Sequence, residues 1–255
     1  MPSSPELPPS TPLPLASPTK SPRVARLRPV IAIDGPAGAG KSTLAAHLAR
    51  RFGFLNLETG AMYRALALKA IESDLDFDEE APLLALTHQT TIALEPHRDG
   101  NRVLLDKVDV SRRIREPDVT AAASRISIHS HLRAWMVAQQ RALGQAGGVV
   151  MEGRDIGTAV FPDAEVKIFL DAAPEVRGSR RFQQNSIVPI TTAPPDAQTE
   201  AAILRDLQER DARDRNRADS PLRPAPDANI IDSTSLTLEQ VLARSEEIVR
   251  THLPL

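Results

Sequence analysis

A three-layer α/β sandwich built on a central parallel sheet is the fold that this 255-residue chain predicts. Three observations point to it. Short apolar runs recur along the chain with helical spacing between them, the pattern of a parallel sheet covered on both faces. The first run leads directly into a glycine-rich loop and a helix. In the middle of the chain, residues 91–110 switch to a hairpin pattern, which reads as a small antiparallel insert.

Residues 1–28 precede that pattern. Prolines at 2, 5, 8, 9, 12, 14, 18 and 22 remove backbone donors and block helix, and serines fill much of the rest, so the stretch reads as a disordered Pro-rich tail. It has no apolar h-region of a secretory signal. The domain is expected over 29–255. Val30-Ile31-Ala32-Ile33 is a β-branched run suited to a buried strand. Residues 43–52 read as a helix, with Leu44 and Leu48 one turn apart. Residues 54–57 read as a second strand and 61–71 as a helix. Asp99-Gly100-Asn101 separates two β-prone runs, the hairpin signal. Residues 118–143 read as mostly helical, ending near Gly144, and 148–151 and 166–170 as two more buried strands. Residues 183–199, rich in Pro, Thr and Gln, read as a mobile loop. A helix over 201–217, a strand over 229–232 and a helix over 238–253 complete the chain. No internal repeat is present.

Composition narrows the chemistry. There are no cysteines, which excludes disulfides, thiolate metal sites and cysteine nucleophiles, and suits a reducing compartment. With aromatics at 3%, the core rests on Leu, Ile, Val and Ala. No segment approaches the roughly 20 apolar residues of a membrane span. The net charge of −2 gives no sign of a nucleic-acid coat. It combines +3 over residues 1–28 (Lys20, Arg23, Arg26 and Arg28 against Glu6) with −5 over the rest.

Gly35-Pro36-Ala37-Gly38-Ala39-Gly40-Lys41-Ser42 matches G-x-x-x-x-G-K-[ST] at every fixed position, between a strand and a helix. Its glycines let backbone N–H groups turn around an anion, and the helix N-terminus adds partial positive charge. Lys41 is placed to reach β- and γ-phosphates, and the Ser42 hydroxyl to ligate Mg²⁺. Glu152-Gly153-Arg154-Asp155 follows a strand directly, and ligands in open α/β sheets bind beyond the carboxyl ends of strands. Two readings stay open for it. One is a set of ligand groups, with Glu152 or Asp155 on hydrated Mg²⁺ or Asp155 on a substrate, and Arg154 on phosphate. The other is a surface Arg–Asp pair. Residues 210, 213, 214 and 217 share one helix face with three arginines and one aspartate, suited to phosphate recognition or to a salt-bridge ladder. In Glu58-Thr59-Gly60-Ala61-Met62-Tyr63-Arg64, Thr59 reads as an N-cap.

Together, residues 33–43, 59–64, 152–158, Phe161-Pro162-Asp163-Ala164, and Glu209-Arg210-Asp211 through Asp214-Arg215-Asn216-Arg217 resemble the bacterial cytidylate kinases, a family of P-loop nucleoside monophosphate kinases. The resemblance spans roughly 29–250, in the family's order. It implies transfer of the γ-phosphate of ATP to CMP or dCMP with Mg²⁺. It also implies a P-loop fold with a nucleotide-binding insert near 60–133 and a mobile lid near 180–208. The implied protein is a cytoplasmic monomer whose partners are small-molecule nucleotides, with no nucleic acid or membrane.

By that resemblance Lys41, Arg154 and Arg210 are catalytic. Gly35, Pro36, Ala37, Gly38, Ala39, Gly40, Lys41, Ser42 and Thr43 serve ATP, with Ser42 on the metal. Thr59 lines the acceptor site. Arg64, Arg154, Arg210 and Arg217 contact phosphates, Ser124, Arg133 and Asp155 read cytosine, and Asp214 holds the sugar. Cytosine's N4 amino group suits acceptors such as Asp155 and Ser124, and its N3 and O2 suit the Arg133 guanidinium. The chain departs from the family pattern in carrying Glu58-Thr59 for Asp-Ser, Glu152 for Asp, and a long proline-rich lid. Competing readings are a kinase of UMP, AMP or another small acceptor, and a nucleotide-dependent switch. The last would normally show the Asn-Lys-x-Asp guanine-reading motif, and the chain has none.

Overall fold

The computed structural model describes residues 26–97, 100–187 and 199–253. Its first strand, β1 (Val30–Asp34), is buried along its whole length, because its side chains alternate between two cores. Val30 and Ala32 face one core, with α2 (Thr59–Glu72), α4 (Pro117–Ile126) and α5 (Ser130–Gly144). Ile31 and Ile33 face the other, with α1 (Lys41–Phe52) and α8 (Leu238–His252). Val30, Ile31 and Ile33 each contribute roughly 1.5–3 kcal/mol by leaving water, and the Ala32 methyl contributes less. The main sheet has five parallel strands in the order β2 (Leu55–Glu58), β6 (Val149–Gly153), β1, β7 (Val166–Asp171), β8 (Asn229–Asp232). Three layers around a parallel sheet are what the apolar runs predicted.

The insert is also present. β3 (Ile92–His97), β4 (Gly100–Leu105) and β5 (Val108–Asp109) form a three-stranded antiparallel sheet, paired from Ile92 with Leu105 to His97 with Gly100. The turn residues 98 and 99 lie outside the described residues. Helices α3 (Glu80–Thr87) and α6 (Pro174–Ile187) have no counterpart in the sequence reading.

Two expectations need correction and one is refined. The mostly helical stretch expected over 118–143 is present as two helices, α4 and α5, separated at residues 127–129. Ser127 turns its hydroxyl back onto the Ser124 carbonyl (3.0 Å), a local bond that ends helices, and His129 is extended with its ring on the Phe77 carbonyl (2.8 Å). Of the loop expected over 183–199, residues 183–187 are helix, the last part of α6, and residues 188–198 lie outside the described residues. Thr59 is the first residue of α2 and not its cap, because its hydroxyl donates to the buried Glu152 carbonyl (2.7 Å) at the end of β6.

The domain begins before residue 29. The Arg26 guanidinium donates to Asp163 (2.7 Å) and Glu165 (3.2 Å) and lies over the Phe161 ring. The Arg28 carbonyl passes so close to Gly147 that a Cβ there would sit 1.7 Å away; Gly147 also has a positive φ of 73°. The remainder of the proline-rich stretch, 1–25, lies outside the described residues. Deleting 1–25 is expected to leave the melting temperature and turnover unchanged, since that composition has little to bury. Deleting 1–28 is expected to cost about 2 kcal/mol through the two charged hydrogen bonds. Thermal melts of the two truncations check this, and equal melting temperatures would remove any role for Arg26.

Candidate active site

The register of the sheet aligns the ends of its central strands: Asp34 lies opposite both Gly153 and Phe169, and Glu58 opposite Glu152. The segments that follow β1, β2 and β6 therefore open onto one crevice. The glycine loop leaves β1 through Gly35, where φ is +149° and a Cβ would stand 2.0 Å from the Leu170 carbonyl of β7, so no other residue fits. Gly40 is left-handed and starts α1. Lys41, the first residue of α1, is buried and folds its Nζ back onto the Pro36 carbonyl (2.7 Å). Burial, then the neighbouring Arg154 charge, push its ammonium down to about 7, against the pull of Glu152, Asp214 and Asp34. A phosphate placed beside Lys41 restores its charge, because opposite charge favours the protonated form.

Two further carboxylates face this loop. Asp34 is buried and accepts from the N–H groups of Ile156 and Gly157, each at 2.7 Å, which fixes the turn after Asp155. Burial pushes it up to about 6 in spite of those two bonds. Glu152 is raised by burial and by Glu58, while Lys41, the Ser42 hydroxyl and Arg154 pull it back. Its Oε1 is buried with no hydrogen-bond partner. A serine hydroxyl beside an unsatisfied carboxylate is a hard oxygen set, which fits Mg²⁺ that keeps waters and phosphate oxygens as its remaining ligands. No group of three or more His, Asp or Glu side chains converges among the described residues, so the protein supplies only part of such a shell.

Beside the loop lies a lattice of arginines and acids. Arg154 Nε donates to Asp214 Oδ2 (2.8 Å), and Arg217 Nη1 lies 3.6 Å from Asp214 Oδ1. Desolvation works most strongly against the Arg154 charge, but Asp214, Glu152 and Asp211 together outweigh it and raise the group. The Arg133 guanidinium, 3% exposed, ion-pairs with Asp155 and also donates to the Ser127 carbonyl (3.1 Å). Arg64 ion-pairs with Glu58, which Arg115 approaches at 3.5 Å. Burial alone would raise Glu58, yet the two guanidiniums hold it below the usual range. The Nε atoms of Arg64, Arg133, Arg213 and Arg217 are buried without a partner. Spare buried N–H donors on several arginines are what an anionic, oxygen-rich ligand satisfies.

The sequence matches the family described as cytidylate kinase over residues 31–251. The chain belongs to that family. It is 47% identical over 220 residues to the cytidylate kinase of Enterococcus faecalis, covering 86% of this chain and 95% of the relative. The cytidylate kinase of Geobacillus thermodenitrificans is 47% identical over 223 residues (88% and 97% covered), and that of Aeromonas salmonicida 44% over 218 residues (86% and 92%). The chain is thus a nucleoside monophosphate kinase, and nucleotides are its substrates.

Among the residues that the cytidylate kinase resemblance singled out, the structure brings Lys41, Arg154, Asp214 and Arg217 together, and Asp155 with Arg133. Ser124 is half-buried on α4, one turn before the Ser127 carbonyl that Arg133 holds. Arg210 is turned along its own helix onto Asp206 (2.7 Å). Three participants had no place in the sequence reading. Asp34 was visible only as the residue before the loop. Arg115 comes from a short 3₁₀ turn, Arg113–Arg115. The Arg181 guanidinium is lowered by burial first, then by the nearby Arg210 and Arg64, so these cations crowd one region. The only signal for Arg181 was its position inside the expected lid.

Proposed function

We propose the following division of roles in phosphoryl transfer from ATP to CMP or dCMP. The loop 35–43 cradles the ATP phosphates in its backbone N–H groups, and Lys41 stabilises charge that builds on the transferred group. Ser42 and Glu152 hold Mg²⁺, whose chemistry is to neutralise the phosphate oxygens. Arg64, Arg154, Arg210 and Arg217 receive the acceptor phosphate, with Thr59 at the entrance of α2. Arg133, Asp155 and Ser124 read cytosine and Asp214 the sugar. An oxygen of the CMP phosphate forms the new bond to the γ-phosphorus, the bond to the β–γ bridging oxygen breaks, and ADP leaves. The acceptor phosphate is already ionised at neutral pH, so no side chain has to take its proton.

The observation that carries this reading is the family match across 31–251, and the crevice geometry supports it, with the loop and Arg154–Asp155 at adjacent strand ends. Uracil would set a carbonyl against the Asp155 carboxylate, and sites that leave a buried polar group unpaired reject such analogues strongly. We also propose that the protein acts as a monomer, without nucleic acid or membrane, and works in a reducing cytoplasm, which its lack of cysteine suits. No helix among the described residues is long and apolar enough to cross a membrane.

The test is a panel of CMP, dCMP, UMP, AMP and GMP as acceptors with ATP and Mg²⁺, followed by ADP release. CMP and dCMP are expected to have the highest kcat/KM, with UMP at least tenfold lower. A preference for AMP or UMP would overturn the cytosine assignment.

A further inference from the structure

Arg177, at the start of α6, is 1% exposed and is one of the largest fully buried side chains of the molecule. Its position is not explained by the acceptor site. Its Nε donates to the Ala172 carbonyl (2.8 Å) and its Nη1 to the Ala37 carbonyl (2.8 Å), in the glycine loop. The same Nη1 lies 2.7 Å from Asp211 Oδ2, on α7 (Glu200–Asn216). The other oxygen of Asp211 accepts from the Ala37 N–H (3.4 Å). The N–H and the C=O of one loop residue are thus held by one ion pair that spans α6 and α7. Packing repeats the pattern. The Ala37 methyl lies in a small cluster with Ile203 and Leu207 of α7. A Cβ on Gly38 would meet Arg177 at 3.3 Å and Leu207 at 3.6 Å.

We propose that Arg177 and Asp211 are positioning residues that clasp Ala37, fixing the curvature of the phosphate loop from two helices, α6 and α7. The clasp touches no substrate and acts through the loop. It rests on the reading of residues 35–43 as the ATP loop. Its consequence is selective. Releasing Ala37 disorders the N–H groups that face the ATP phosphates, while Arg133 and Asp155, which the clasp does not contact, keep their geometry. A purely structural ion pair would behave differently, since its loss weakens both substrates together or neither.

The test uses three variants, with KM for each substrate and the ATP dissociation constant measured separately from melting temperature. Arg177→Met leaves the Asp211 charge buried without its partner, and it is expected to melt lower and to raise the KM for ATP at least tenfold. Arg177→Met with Asp211→Asn removes that charge and keeps an acceptor for the Ala37 N–H. This double variant is expected to regain melting temperature and to retain the tenfold ATP defect, with KM for CMP within twofold of wild type. Arg177→Lys keeps the charge but not the fork of donors. It is expected to show the same ATP-selective defect in milder form, and it covers failure of the double variant to fold. Recovery of ATP affinity together with melting temperature in the double variant would overturn the clasp. So would a parallel rise in both KM values, or wild-type ATP affinity in Arg177→Lys. A wild-type protein that fails to bind ATP would instead refute the reading of the loop itself.

Discussion

Lys41→Met is expected to lower kcat about a hundredfold in a protein that still folds. The Nζ sits inside the loop, bonded to the Pro36 carbonyl. Loss of one preorganised stabiliser of developing charge costs on the order of 3 kcal/mol, which is about two decades in rate. Methionine preserves the length of the apolar stem, and removing an ammonium that burial has already pushed down to about 7 relieves a desolvation cost, so the melting temperature holds or rises. The same depressed value carries a pH signature. In the free enzyme Lys41 loses its proton as pH rises through about 7, so KM for ATP rises above that pH. That rise is absent in Lys41→Met. Steady-state kinetics between pH 6 and 9, beside a thermal melt, measure both effects. Turnover close to wild type in the variant would take the lysine out of the mechanism.

Asp155 carries the second large effect, and the structure makes it twofold. Its carboxylate is paired with Arg133, at 9% and 3% side-chain exposure. Asp155→Ala leaves that guanidinium buried and uncompensated, which costs about 3–5 kcal/mol of stability. Asp155→Asn keeps the volume and one acceptor oxygen, so it is the cleaner probe of base reading. A hydrogen bond to a charged group contributes roughly 1.5–3 kcal/mol, so kcat/KM for CMP is expected to fall at least tenfold. The amide can also donate to the uracil carbonyl, so the preference for CMP over UMP shrinks while KM for ATP stays constant. An unchanged CMP-to-UMP ratio in Asp155→Asn would mean that Asp155 serves Arg133 alone and reads no base.

What the sequence revealed follows the range of each interaction. The phosphate loop is legible because everything that shapes it, from the strand before to the helix after, lies within about twenty residues. Arg154 and Asp155 are legible as residues beyond a strand end, a rule of topology that needs no partner. Arg133 and Ser124 look like ordinary helix residues, and only the family resemblance set them apart. The Arg177–Asp211 pair links positions 34 residues apart on two helices that no local pattern brings together. The error at Thr59 has the same origin. The residue has the chemistry of a cap, but a carbonyl at position 152, 93 residues on, competes for its hydroxyl and wins. Local propensity chose the right helix and missed the bond that decides its first turn.

The place of β1 in the sheet has a consequence during synthesis. β1 leaves the ribosome well before the neighbours that cover its two edges, since β6 and β7 follow about 120 and 135 residues later. At 5–20 residues per second, β1 waits roughly 6–25 seconds before its first partner exists. During that wait Val30-Ile31-Ala32-Ile33 is an apolar segment with two open edges, the kind of stretch that pairs with other chains. The strand at the centre of the finished sheet is thus open to aggregation while the chain is being made.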